Sequence, residues 1–495
     1  MTRIAGVCRR CPPPVCWIAL VALLNALAWG ILVPPFHVPD ENAHVAYVQY
    51  LAETGRLPEG VADRPPYSPE INGTLEALRF YEVVGRTENR PPGTSAEIAS
   101  LDEVRDGTRS RVGSGDVSSA TNNPPLYYGA QAAAYWASPS HDLLMRVALM
   151  RIVSALLAGV AALFGALFVR ELLPHEPWAW IAGGLAIATQ PLLGFMGGGV
   201  NNDIMLFAAS AAMFFALARI FRRGLTPARA AGVCLALAVG VLAKATMIAF
   251  VAAVAFALLW AVARGRPQQR GAALRAGAVG IAVVALPALL YVLLSATVWD
   301  RPIWGAAAVA APADDVSQAG GGSLREQISY TWQLYLPRFG VFTTLHPVAN
   351  PPVDLWFNGF VGRFGWLDYG FPQWVYDVAK WFAAVVIALA ASTLVRSRRA
   401  LRGRAMELTA YVLAAGGLAV LIGAAGYSYW INTGGERFEQ ARYLLPLLPL
   451  YGAIVALAIR GAGRRAGPSL AAVAVVVMIG WSVYAQLITM LRFYS

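Results

Sequence analysis

Charge is what this chain has least of. Asp, Glu, Lys and Arg together make up 14% of the 495 residues, against about 25% in ordinary soluble domains. Lysine is nearly missing, with Lys244 and Lys380 the two that occur. Cysteine is scarce as well. Cys8 and Cys11 have metal-ligand spacing but no second pair, which argues against a zinc site. Cys16 and Cys234 fall in apolar runs, so no extracytoplasmic disulfide is expected. Neither a P-loop nor a GxGxxG fingerprint in a strand–helix context occurs, which leaves no motif for a bound nucleotide. A basic patch on a folded soluble face is also missing, so the net charge of +11 does not point to nucleic acid.

What the chain does have is apolar length. Hydrophobic residues reach 57%, and runs of about 18 or more recur, each able to cross a hydrocarbon core about 30 Å thick. Eleven are expected, at roughly 16–34, 145–169, 178–195, 202–221, 228–244, 246–263, 275–297, 373–395, 407–429, 441–459 and 468–489. Backbone polar groups at that depth must bond internally, so the runs are helices. The fold class is therefore an all-α polytopic membrane protein. "ALA" at 26–28 is like a signal-peptide cleavage site, but the apolar run continues through Val33, which favours a retained first span.

Arginines orient the chain. Arg3, Arg9 and Arg10, Arg222, Arg223 and Arg229, Arg264 to Arg275, "RSRRALRGR" (396–404) and "RGAGRR" (460–465) fall on alternate connections. The positive-inside rule places these in the cytoplasm, with the C-terminus outside. Nearly all carboxylates then lie outside, Glu171, Glu176 and Glu407 excepted. The expected location is a cytoplasmic (inner) membrane, crossed many times. One transmembrane domain spans 1–495, with two long outer segments, 35–143 and 298–372. The first opens with the amphipathic "DENAHVAYVQYLAETGRLP", passes through a polar tract at 89–123 expected to be flexible, and closes with the interfacial "NPPLYYGAQAAAYW". The second carries "YTWQLYLPRFG" and "FVGRFGWLDYG".

The groups able to carry chemistry gather on that outer side. Asp40, Glu41 and His44 follow the first span. Adjacent carboxylates on a helix point about 100° apart, so Asp40 and Glu41 cannot fill one site symmetrically; ordinary helix-start chemistry explains Pro39-Asp40-Glu41 equally well. His44 is a candidate partner for Asp40. Lys244, at the outer end of the fifth span, would cost about 3 kcal/mol at mid-membrane and less at the interface. Snorkelling competes there with an anion partner. Asn201, Asn202 and Asp203 start the fourth span and read as a helix cap or as a site. Arg442, with Tyr443 beside it, opens the tenth span and suits a lipid phosphate or simple anchoring. Arg338 and Arg363 are similar candidates, and Lys380 pairs with Asp377 at helical spacing.

"PDENAH" after the first span, "NNPPLYY", "GWLDYG" and "ARYLLPLLP", in that order, resemble a bacterial membrane family, domain of unknown function 2142, grouped with the GT-C glycosyltransferases. The resemblance runs from about Pro34 to Ile459. It implies a GT-C-like domain that moves a sugar from a polyprenyl-phosphate carrier to a glycan, lipid or protein acceptor outside the membrane. It further implies that Asp40 is the base or a metal ligand, with Glu41 beside it. Neighbouring carboxylates raise each other's pKa, as a base requires, and direct displacement inverts the anomeric centre. Trp366 and Asp368 of "GWLDYG", with Trp332, Tyr335 and Tyr369, are candidate sugar contacts. A divalent ion on Asp40 and Glu41 is left open. The rival readings are a transporter or flippase, which needs charged mid-span residues or matched broken helices, and a polymerase or ligase of lipid-linked glycans.

Overall fold

The computed structural model describes residues 12–58, 67–105, 108–113, 120–264, 270–299, 323–337, 339–340, 352–433, 435 and 437–495. Its principal helices are α1 (Pro13–Leu32), α2 (Glu41–Thr54), α3 (Pro69–Ala77), α4 (Ser95–Arg105), α5 (Leu126–Trp136), α6 (Leu143–Leu172), α7 (Pro177–Ala188), α8 (Pro191–Gly197), α9 (Asp203–Arg223) and α10 (Pro227–Ala243). There follow α11 (Val251–Ala263), α12 (Arg270–Thr297), α13 (Leu324–Tyr335), α14 (Gln373–Arg396), α15 (Ala405–Asn432), α16 (Leu448–Gly461) and α17 (Gly463–Tyr494). One short antiparallel pair, β1 (Arg363–Phe364) and β2 (Tyr369–Gly370), closes the "GWLD" turn.

Among the described residues, nine helices are long and apolar enough to cross a membrane, or ten if the bent pair α7–α8 counts as one span. Eleven were expected, and two local breaks account for the difference. Gln190 precedes Pro191 and is extended (φ −62°, ψ 120°), as the proline ring demands of its neighbour, so α7 and α8 meet at 49°. The run at 228–244 stops as a 17-residue helix because Lys244 is extended (φ −156°, ψ 131°) and the chain restarts as a 3-10 turn, Ala245–Phe250.

Small residues set the packing. α6 lies against α1 and α9, burying Ala155, Ala158, Gly159, Ala162 and Ala166, and small side chains let membrane helices approach closely. The polar tract at 89–123, expected to be flexible, contains α4. Its start is fixed because the Glu97 carboxylate accepts from Gly93 N (3.0 Å), Thr94 N (2.9 Å) and Thr94 Oγ1 (2.8 Å). These backbone donors, Thr94 first, hold the exposed carboxyl at about 2.

The two ends of the bundle differ chemically. The three carboxylates expected on the inner side each meet an arginine expected on that same side: Arg222 Nε–Glu407 (2.8 Å), Arg223 Nη2–Glu171 (2.6 Å) and Arg460 Nε–Glu176 (3.3 Å). At the opposite end Arg492 of α17 donates to the carbonyls of Val83, Arg86 and Asn89 in the first outer segment. The C-terminal end of α17 is thereby tied to that segment. Alkaline phosphatase fused after Ser495 is expected to be active and a fluorescent reporter that folds only in the cytoplasm dark; the reverse pattern would overturn the orientation.

Candidate functional site

The site begins with a joint. Glu41, fully buried at the start of α2, receives Arg151 of α6 through Nε (2.8 Å) and Nη2 (2.6 Å). The same guanidinium donates to the carbonyls of Gly30 (2.9 Å), Val33 (2.7 Å) and Pro34 (3.0 Å), at and just past the end of α1. Glu41 also accepts from Phe36 N (2.8 Å) and Val200 N (2.9 Å). The second of these lies in the glycine turn after α8, whose backbone must pass very close. A Cβ on Gly198 would meet Gly30 N at 2.6 Å, and one on Gly199 would meet Val38 at 2.6 Å.

That joint turns Glu41 away from Asp40. Asp40 holds a left-handed conformation (φ 62°, ψ 7°), and its side chain caps nothing on α2. It reaches instead to Arg442, whose Nη2 donates to Oδ2 at 2.5 Å. The expected mutual repulsion of Asp40 and Glu41 is therefore corrected. Burial pushes the Asp40 carboxyl up, but Arg442, then His44 and Lys244, outweigh it and hold the group below its ordinary value. His44 is buried, with Nδ1 2.8 Å from the Tyr128 hydroxyl. Burial carries its imidazole down to about 4 against the pull of Asp40, so the ring is neutral at physiological pH.

Asp203 is the second carboxylate. Lys244 Nζ donates to Oδ1 at 2.5 Å, and Arg442 Nε stands 3.7 Å from Oδ2. Lys244 and Arg442, expected on one anion-binding surface, therefore share a single carboxylate. Tyr443 lies under both cations, its ring centroid 5.5 Å from Lys244 Nζ and 5.3 Å from the Arg442 guanidinium carbon. Asn201 and Asn202 do more than start a helix. Asn201 Nδ2 donates to Pro39 O (3.0 Å) while its Oδ1 accepts from Asp203 N (2.9 Å), and Asn202 Nδ2 donates to Ala243 O (2.9 Å). They hold Asp203 beside both Asp40 and Lys244.

The cluster is not saturated. Nε and Nη1 of Arg442, Oδ2 of Asp203 and Oδ1 of Asn202 are buried without a hydrogen-bond partner. Such groups are costly unless a ligand or water meets them. A cavity of about 280 Å³ opens on Arg442 and Pro39, with Arg363, Arg437, Asp354 and Glu439 in its wall.

Other expected residues lie apart from this cluster. Asp368 is paired with Arg492 (3.2 Å) and accepts from Trp366 N (2.9 Å), so it braces the hairpin and α17. Trp366 is exposed and packs edge-on to Phe80, 6.2 Å between centroids. Tyr369 is bonded to Thr489 (3.1 Å), Trp332 donates to Pro337 O (2.9 Å), and Tyr335 stacks on Trp356. Lys380 pairs with Asp377 at 2.9 Å. Arg338 lies outside the described residues. As for a metal, Glu41 already holds four donors and does not converge with Asp40, so the two do not fit as a chelating pair. Among the described residues no three His, Cys, Asp or Glu side chains form a ligand set.

Sequence reasoning did not single out Arg151. Its signal was present: an arginine a full turn and more inside the second apolar run, where an ionisable group demands a partner.

The family model described as "Predicted membrane protein (DUF2142)" matches residues 23–451, and the chain belongs to that family. Among curated protein sequences none matches. Of solved structures, the Archaeoglobus fulgidus oligosaccharyltransferase in its apo form is similar at 12% identity and TM-score 0.41, over 96% of this chain and 55% of that one. This chain thus spans little more than half of that enzyme's length. ArnT from Cupriavidus metallidurans is similar at 12% identity and TM-score 0.43, over 96% of this chain and 73% of that one. The A. fulgidus protein AglB, in complex with an inhibitory peptide and a dolichol-phosphate, is similar at 13% and 0.42, over 96% and 56%. Likeness at this level assigns no role to any residue here.

The joint and the cluster should respond differently to mutation. Removing one partner of a buried pair typically costs about 3–5 kcal/mol, so Arg151→Met should lower the melting temperature of detergent-purified protein sharply. Asp40→Asn should lower it less, because asparagine tolerates the left-handed backbone, Asp40 is a quarter exposed, and Asp203 still stands beside Arg442. Equal melting temperatures for Arg151→Met and wild type would remove the structural role given to the pair.

Proposed function

We propose that the protein is an integral-membrane glycosyltransferase. In this reading it moves a sugar from a polyprenyl-phosphate donor to a glycan, lipid or protein acceptor at the outer membrane face, with inversion. One observation carries the reading. Asp40, Asp203, Lys244 and Arg442 meet at one end of the bundle, and a buried arginine there keeps N–H groups without a partner beside a cavity. A phosphodiester suits those free N–H groups, since guanidinium binds phosphate through charge-assisted bonds.

The chemistry follows from competition for Arg442. With no donor present, Asp40 is ionised and neutralised by the guanidinium. A donor phosphate engaging Arg442 and Lys244 draws the positive charge off Asp40, whose affinity for a proton then rises. The acceptor hydroxyl attacks the anomeric carbon from the face opposite the phosphate. The C–O bond to phosphate breaks, its electron pair stays on the phosphate oxygen, and the hydroxyl proton passes to Asp40. His44, neutral and hydrogen-bonded to Tyr128, packs beside Asp40 as a positioning residue. The transporter reading has less behind it: one bent helix pair occurs among the described residues, whereas inverted repeats would supply two.

Two outcomes test this in membranes supplied with polyprenyl-phosphate sugars. Loss of a general base costs roughly 10²- to 10⁴-fold, so Asp40→Asn should cut transfer by that much while Glu41→Gln acts through stability. Transfer at the wild-type rate by Asp40→Asn would defeat the assignment. The pH profile is the second. The depressed Asp40 is ionised throughout neutrality and His44 titrates at about 4, so kcat/KM, which reports the free enzyme, should stay flat down to about pH 5 and fall only below it. An ascending limb centred near pH 6–7 would mean that a raised carboxyl or an ordinary histidine is the base instead.

A further inference from the structure

A groove that takes no part in the chemistry above runs along α9, its basic end at the end of the helix opposite Asp203. It has a volume of about 600 Å³ and lies between α6, α9 and α10. Met205, Ala208, Ala212, Phe215 and Arg219 of α9 line it at i, i+3/i+4 spacing, one face of the helix. The fourteen steps from Met205 to Arg219, at about 1.5 Å each, make it about 21 Å long. Its walls are apolar, with Leu157 and Leu235 opposite, until the end formed by Arg219 and Arg229.

That end calls for an anion. Arg219 Nε is buried and has no hydrogen-bond partner. Arg229 donates to the carbonyls of Arg223 and Gly224. Glu171 is the carboxylate whose charge reaches Arg229, and it is bound through both oxygens to Arg223 (2.7 and 2.6 Å). Among the described residues neither Arg219 nor Arg229 forms an ion pair of its own. The N-terminus of α10, capped by Thr226, opens into the same end, and its dipole adds to the positive field. A free phosphate would use the basic end and leave the apolar length unexplained. A phospholipid uses both.

We propose that this groove binds one anionic phospholipid from the leaflet on the arginine-rich side, its phosphate against Arg219, Arg229 and the start of α10, and one acyl chain along α9. The phosphate lies at the end of α9 opposite Asp203, so its contacts are separable from the transfer chemistry.

The test is native mass spectrometry of the delipidated full chain in detergent, titrated with dioleoyl phosphatidylglycerol. Wild type should retain one lipid tightly. Charge-assisted bonds lost from a phosphate weaken binding by about tenfold, which is the effect expected for the Arg219→Gln/Arg229→Gln pair. Ala212→Phe, which fills the groove and leaves both arginines in place, should weaken it similarly; if the double variant fails to fold, this one decides. Lys380→Gln, an exposed lysine paired with Asp377 away from the groove, should bind as wild type does. Unchanged affinity in either groove variant overturns the proposal. So does displacement of the lipid by an equal concentration of inorganic phosphate, or by polyprenyl phosphate, which would make the groove part of the donor site.

Discussion

The Glu41–Arg151 pair is the constraint on which the outer end of the molecule depends. Two charges at 0% and 7% side-chain exposure are expensive to bury, and the cost is recovered only when every donor and acceptor is used. Here all five guanidinium N–H groups find oxygen. Two of those oxygens, on Gly30 and Val33, belong to the end of α1, where a cation is also favoured by the helix dipole. The pair fastens α1, α6 and the turn before α9 at one point. The chain between Val33 and Glu41 must then be short and bent. It carries two non-glycine residues at positive φ, Phe36 (69°) and Asp40 (62°), a strain of about 1–3 kcal/mol each. Asp40 is aimed by that strain, since α2 cannot begin on Glu41 and also direct Asp40 along its own axis.

Arginine saturation separates scaffold from site. Arg151 and Arg492 each spend their donors on one carboxylate and several carbonyls. Arg442 is as deeply buried, yet Nε and Nη1 have no hydrogen-bond partner. A lysine could not replace the first two, because its three donors could not reach so many fixed acceptors. Asp40 and Asp203 offset Arg442 and Lys244, so the resting cluster is neutral. A neutral cluster of four charges can rearrange around an incoming anion at less cost than an unbalanced one, since no step leaves a buried charge alone.

The apolar runs made the helical, membrane-spanning class legible, because length and hydrophobicity alone decide it. Helix breaks were harder to read. The proline rule locates the bend at Gln190, but nothing around Lys244 marks its extended backbone, which depends on tertiary contacts such as Asn202 to Ala243 O. The alternation of spans put Asp40, Lys244, Asp203 and Arg442 at span ends on one common side. It did not show that they share one guanidinium and one carboxylate. The misjudged partner was Glu41, adjacent in sequence to Asp40 and therefore taken as its companion. Its real partner is Arg151, 110 residues away, and no local pattern encodes that pairing.

The two cations share a further feature. Lys244 precedes the 3-10 turn Ala245–Phe250, and Arg442 lies in the 3-10 turn Ala441–Leu447; each turn then gives way to a regular helix. Non-α backbone at the edge of a membrane persists only where protein buries it or water reaches it. Both turns pack on α15, and the second also meets α9, whose first residue is Asp203. Breaking the two helices there lets a long cationic side chain lie across the bundle, where a regular helix would point it outward to lipid. The result is that both cations meet Asp203 at one end of the bundle, with Asp40 paired to Arg442 beside them. That arrangement is what the proposed transfer between a membrane-held donor and an external acceptor would require.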